Sequence, residues 1–176
     1  MRRVMEKELQ IELVQKSKAG DVNAFIKLCE AYQTILYNSA YKILLNYEDA
    51  GDCLQETEFK AWQKIETLTN EAAFNTWIFK IMTNISKNML VKKQNFVELE
   101  ENTVTTFYSE KANFFIKELL SEIPDIYRIS LILYYYAGFS AIEIAQQQRI
   151  SVNTVKTRIA RGREILKKRL EEKKYG

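Results

Sequence analysis

Asn153, Thr154, Lys156, Thr157, Arg158 and Arg161 gather on one side of a segment whose other side repeats Val152, Val155, Ile159, Gly162 and Leu166 at intervals of three or four. That polar side has the chemistry of a major-groove reader. Arg and Lys pair with guanine edges, Asn pairs with adenine, and all of them reach phosphate. Ser151 is the natural cap of this helix, whose N-terminus adds partial positive charge. A second set is acidic: Asp49, Asp52, Gln55 and Glu56 share one helical face, while Leu54, Ala61, Trp62 and Ile65 point elsewhere. Such a face suits a basic partner, although from charge alone a solvated acidic surface is the plainer explanation. A third set is cationic: Lys80, Lys87, Lys92 and Lys93 follow Phe74 and Trp77. At helical spacing Phe74 and Trp77 suit a core as well as a base-stacking platform.

Other chemistries are excluded. The chain has no histidine, and its two cysteines, Cys29 and Cys53, have no ligand spacing, which removes zinc sites and histidine-based catalysis. No catalytic cluster, metal site, cofactor motif or small-molecule substrate site is expected, so the chain reads as no enzyme. Free thiols and a start without an apolar signal core predict a cytoplasmic protein. The longest near-apolar stretch, Ile129 to Phe139, is too short to span a bilayer.

The elements that must carry these sets are helical. Of 176 residues 47% are apolar, with only five Gly and one Pro, so long helices are allowed almost everywhere and an all-α fold follows. The charge is uneven: residues 152–176 carry nine basic and three acidic groups, so the preceding residues must sum to −3 beneath an overall +3. Such a basic tail suits a polyanion, and a solvated helix as well. An opening helix is expected over Glu8–Ala19, closed by Gly20, with Asp21 capping a second helix through Ala24, Phe25, Leu28 and Tyr32. A further apolar run spans Ile35–Leu45, and the acidic helix starts near Tyr47. After a polar turn, Thr67 to Glu71, comes a helix with Phe74, Trp77, Ile78, Ile81, Ile85 and Met89. Residues 1–93 can enclose one core. Residues 94–112 lose the helical period, turn acidic and read as a flexible linker, with Phe96, Phe107 and Tyr108 in it.

A second domain, 113–176, holds a helix expected to begin at Pro124 and to stop at Gly138. Ser140 and Glu143 then form a capping box. Ile142, Ile144 and Ala145 are expected to face inward, Ala145 being small enough for a steep helix crossing, with Ile150 plugging the turn. This is the pattern of a helix-turn-helix.

The stretch IPDIYRISLILYYYAGFSAIEIAQQQRISVNTVKTRIARGREILKKRL resembles region 4 of bacterial sigma factors, with Arg149 where that family usually carries glycine. Response-regulator DNA-binding domains share a similar pattern, so the first half of the chain separates the readings. There Leu13-Val14, Ala19-Gly20-Asp21, Ala24-Phe25, Leu28 and Tyr32 resemble the start of sigma region 2. Asp49 to Thr57 with Ala61-Trp62 is similar to the family's polymerase-binding helix, apart from Gly51 and Glu58. Phe74 to Ile81 with Asn84 and Asn88 resembles its promoter-melting helix. The resemblance is to the small extracytoplasmic-function type.

It implies two small helical domains, region 2 and region 4, and a set of roles. Asp49, Asp52, Gln55 and Glu56 would bind the clamp helices of the largest subunit of core RNA polymerase, and region 4 the flap of the second-largest subunit. Asn70, Trp77, Lys80, Asn84 and Lys87 would serve the −10 element, with Asn70 in the loop where the family captures a flipped base. Ser151, Asn153, Thr154, Lys156, Thr157, Arg158 and Arg161 would read the −35 element. An anti-sigma factor, often membrane-bound in this family, is implied in the same way. The rival readings are a helix-turn-helix regulator without stable polymerase binding and a helical adaptor whose basic tail is only solvated.

Overall fold

A computed structural model describes residues 4–96 and 110–175. Among them every regular element is helical. Residues 97–109, most of the expected linker with Phe107 and Tyr108, lie outside the described residues.

α1 (Lys7–Lys18) ends at Gly20, whose φ of +91° lets the chain reverse, and Asp21 accepts from the Ala24 N–H at 3.1 Å to open α2 (Val22–Leu44). Both caps agree with the sequence reading. α2 is continuous through the apolar run at Ile35, because nothing between Tyr32 and Ile35 breaks the period and Leu28, Tyr32, Leu36, Ala40 and Ile43 all face the core. Asn46 caps α3 (Tyr47–Lys64), accepting from the Asp49 N–H at 3.0 Å. Two short 3-10 turns, Ile65–Thr67 and Glu71–Ala73, lead into α4 (Phe74–Phe96). α3 and α4 meet at a buried polar seam where Cys53 Sγ lies 3.3 Å from Ser86 Oγ. These four helices pack on one core, which continues into the second half through residues such as Leu133, Phe139 and Ile144.

The second half comprises α5 (Glu110–Ser121), α6 (Asp125–Leu131), α7 (Ala141–Gln148) and α8 (Val152–Tyr175). α6 begins at Asp125, one residue after Pro124. It does not run unbroken to Gly138: residues Ile132–Tyr136 widen into one π turn, in which the Ala137 N–H donates to Ile132 O at 2.9 Å. Ser140 and Glu143 make the capping box, the Glu143 N–H donating to Ser140 Oγ at 3.2 Å and the Ser140 N–H to Glu143 Oε2 at 2.8 Å. Ile144 and Ala145 are buried, but Ile142 is 59% exposed, which corrects the expected inward stripe. Ile142 lies two positions from Ile144, about 200° around the helix, so both cannot face one core. Arg149, in place of a glycine, takes up the left-handed turn itself, at φ +56°. An L-residue pays about 1–2 kcal/mol for that conformation.

α8 crosses α6 closely at Gly162, where an added Cβ would sit 2.6 Å from Leu131 Cδ1 and 2.9 Å from its Cγ. Gly162→Ala gains about 1 kcal/mol of helix propensity but forces Leu131, which is 5% exposed, out of place. Overpacking of this kind costs about 1–3 kcal/mol, so a net loss of about 1 kcal/mol is expected in urea denaturation. A variant as stable as the parent would show that the crossing relaxes.

The two halves also pack on each other. Phe79 of α4 meets Phe139 edge-on with ring centroids 5.0 Å apart, both rings being buried. Lys42 lies over the Tyr136 ring, 4.3 Å from its centroid. Arg128 of α6, 5% exposed, donates through Nε to Ile43 O at the end of α2, at 2.9 Å. Through Nη1 it also reaches Leu120 O and Ile123 O at 3.2 and 2.9 Å, while Asp125 balances its charge. One guanidinium thus closes a helix end from each half, where carbonyls lack intrahelical partners.

Candidate nucleic-acid interface

α8 carries the first set of polar residues. Val155, Ile159 and Gly162 are buried, and Asn153, Lys156, Thr157 and Arg161 are exposed on the other side, as their spacing predicts. Ser151 is spent locally: its Oγ accepts from the Thr154 N–H at 3.0 Å and lies 2.8 Å from Thr154 Oγ1. Thr157 donates to Asn153 O at 2.9 Å. Arg158, half-buried, donates to Gln148 Oε1 of α7 at 3.3 Å, and Arg161 faces Glu164 at 3.3 Å in the open. Asn153 and Lys156 therefore have the freest side chains for a base edge or a phosphate, with Arg161 shared with Glu164.

The loop around Asn70 is braced from α1. Gln10 donates to Glu71 O and Ala72 O at 3.1 and 3.3 Å and accepts from the buried Tyr32 hydroxyl at 2.7 Å. Lys18 donates to Leu68 O at 2.9 Å and pairs with Glu71 at 2.7 Å. Asn70 itself is exposed, with its Oδ1 accepting from the Ala72 N–H at 3.1 Å. The geometry leaves its amide NH2 pointing away from that cap. On α4, Phe74 is fully buried, whereas Trp77 is half-buried at its edge, the two rings 5.8 Å apart. Lys80 is half-buried and Asn84 exposed. Burial, and then Arg158, hold the Lys87 ammonium below the ordinary lysine value.

The acidic set lies on α3, with Asp52 and Gln55 exposed and Asp49 and Glu56 half-exposed. Glu56 pairs with Lys60 at 2.5 Å, and Asp49 with Lys93 of α4 at 3.4 Å, so Lys93 sits beside the acidic face. Next to Gln55 is a groove of about 480 Å³ between α2 and α3, lined by Phe25, Ile26, Cys29, Glu58, Phe59 and Trp62. Phe59 is 61% exposed and Ile26 46%.

Two stretches match family models, residues 28–96 the Sigma-70 region 2 model and residues 116–166 the Sigma-70 region 4 model. The ECF RNA polymerase sigma factor SigW of Bacillus subtilis is 30% identical over 90% of this chain and 95% of its own length. This chain belongs to the ECF sigma factor family. Its function is that of a transcription initiation factor, giving RNA polymerase promoter specificity. The RNA polymerase sigma-H factor of Pseudomonas aeruginosa is 26% identical over 96% of the chain and 97% of its own. Among solved structures, CnrH in complex with the cytosolic domain of CnrY has the same fold, with a TM-score of 0.75 at 21% identity over 93% of this chain and 98% of that one. RpoE with the anti-sigma factor NepR from Bartonella quintana reaches 0.70 at 22% identity, over 82% and 97%. Among the described residues no helix is long and apolar enough to cross a membrane.

The sequence reading missed the groove. Its signal lies in Glu58, one of the two departures from the family's polymerase-binding helix, and in Phe59 beside it. Burial pushes the Glu58 carboxyl above its ordinary 4.5 and the Cys29 thiol up to about 12. The folded sigma factor therefore holds the Glu58 proton to higher pH than the unfolded chain does. Stability falls as pH rises from 4.5 through the raised value, and stays lower above it. Glu58→Gln should be the more stable protein in urea at neutral pH and lose that advantage in acid. An unchanged difference across pH would contradict a desolvated carboxyl.

Proposed function

We propose the following division of labour within this sigma factor. Residues 1–93 form the region 2 domain, 94–112 the linker and 113–176 the region 4 domain. Asp49, Asp52, Gln55 and Glu56 dock on the basic clamp helices of the largest subunit of core RNA polymerase, and the apolar groove beside Gln55 takes a side chain from that partner. Region 4 sits on the flap of the second-largest subunit, which sets α8 over the −35 element. Asn153, Lys156, Thr157, Arg158 and Arg161 read bases and phosphates there, while Ser151 and Thr154 fix the helix start. Lys80, Asn84 and Lys87 hold the −10 backbone, and Asn70, with Trp77 nearby, receives an unstacked base.

The chain itself catalyses nothing in this reading, because polymerase does the chemistry, and it works in the cytoplasm. Free sigma factor is held by an anti-sigma factor, as the relatives solved with CnrY and NepR are complexed.

The observation that carries the reading is the exposed polar face of α8, set by a cap at Ser151 and by a buried stripe through Gly162. The region 2 match, residues 28–96, favours it over a plain helix-turn-helix regulator, which needs no such domain. Run-off transcription with purified core polymerase on genomic fragments tests it. New discrete starts should arise only when the chain is added, and should vanish with Asp52→Lys. Failure to associate with core polymerase near physiological salt would end the proposal.

A further inference from the structure

Gln10 and Lys18 of α1 and Tyr32 of α2 converge on the short loop that carries Asn70. Its two 3-10 turns give that loop short-range backbone bonds, such as Leu68 N–H to Ile65 O at 3.1 Å and Ala73 N–H to Asn70 O at 2.9 Å. The bonds that tie it to the rest of the fold come from α1. Gln10, 7% exposed, donates through Nε2 to Glu71 O and Ala72 O at 3.1 and 3.3 Å. Carbonyls only accept, so Nε2 must face them and Oε1 must face the Tyr32 hydroxyl, which donates to it at 2.7 Å. Lys18 secures the loop again, at Leu68 O and at the Glu71 carboxylate.

Tyr32, 1% exposed, bears on Trp77 as well. Its ring meets Phe74 edge-on with centroids 5.4 Å apart, and the fully buried Phe74 meets Trp77 at 5.8 Å. One tyrosine therefore ties the Asn70 loop through its hydroxyl and the Trp77 edge through its ring.

We propose that Gln10, Lys18 and Tyr32 are positioning residues that preset the Asn70–Trp77 receptacle before a base arrives. A loop ordered in advance spares the incoming base the conformational entropy of ordering it. The three act through Asn70 and Trp77, not on the base. This inference rests on the base-capture role given to Asn70.

Two measurements on the full chain test it. Hydrogen exchange followed by NMR, without DNA, reads the loop alone. Gln10→Met and Lys18→Met should each speed exchange at the Leu68, Ala72 and Ala73 amides, and Lys18→Arg should restore what Lys18→Met loses. The double methionine variant should exchange there almost as an unstructured peptide does, while Val155 and Ile159 in α8 keep the parent rate. The second measurement uses the complex with core polymerase and a forked fragment from a start mapped by run-off transcription, duplex at −35 and single-stranded at −10. The double variant should bind it about tenfold more weakly, because only chains with an ordered loop capture the base. On the same fragment with an abasic −10 strand it should match the parent. Unchanged exchange in both single variants would overturn the proposal. So would equal losses on the intact and abasic strands, or parent affinity in the double variant where Asn70→Ala weakens binding. An Asn70→Ala chain that binds the intact strand as the parent does would instead remove the base-capture reading, and the receptacle with it.

Discussion

Arg128→Ala is expected to cost about 3–5 kcal/mol of stability, the largest loss for any single substitution considered in this sigma factor. The guanidinium is 5% exposed and serves Ile43 O, Leu120 O and Ile123 O together, with Asp125 Oδ1 at 2.5 Å. Its removal leaves these carbonyls in a place water reaches poorly and strips Asp125 of a partner at the same time. Arg128→Lys should recover only part of the loss, since a compact ammonium cannot span carbonyls that lie on two sides of a planar fork. Urea denaturation followed by circular dichroism measures both. A loss below about 1 kcal/mol for the alanine variant would mean that the helix ends find water instead.

The second large effect separates base reading from charge. Arg158→Ala in the polymerase complex should weaken binding by about 1–3 kcal/mol at particular −35 positions and hardly at all where those positions are already mismatched. Lys87→Ala should weaken all promoters alike and lower the slope of log affinity against log salt by about one. Affinities on a panel of single-base promoter variants, taken at several salt concentrations, distinguish the two. Equal, sequence-independent losses from both would remove Arg158 from the groove.

Most of the fold was legible because local rules and global packing agree. The caps at Asp21, Ser140 and Ser151 and the reversal at Gly20 follow from residue type alone. The buried side of α8 follows from its period. Ile142 departs from the expected stripe because apolar identity does not fix inward direction, and Ile144 sets the buried side. The contact between halves was illegible for a different reason. Phe79 and Phe139 are separated by the chain between them, and each taken alone suits the core of its own half. Arg128 is illegible in the sequence because a single arginine in an apolar run gives no period, and its partners are backbone carbonyls that carry no sequence signature. For the candidate sites, the sequence placed the polar sides of α3 and α8 but not the degree to which Ser151, Thr154 and Lys93 are engaged elsewhere.

The widened turn at Ile132–Tyr136 acts as a counting device. An ordinary helix advances about 100° per residue, so one surplus residue in a turn re-aims everything downstream by that amount. Tyr136 is thereby aimed at Lys42 and Phe139 at Phe79, while Tyr134 and Tyr135 are swung outward. Deleting the surplus residue would keep each half's own architecture and lose the contact between them. The length of this short run, more than the identity of its tyrosines, therefore sets whether the two halves meet.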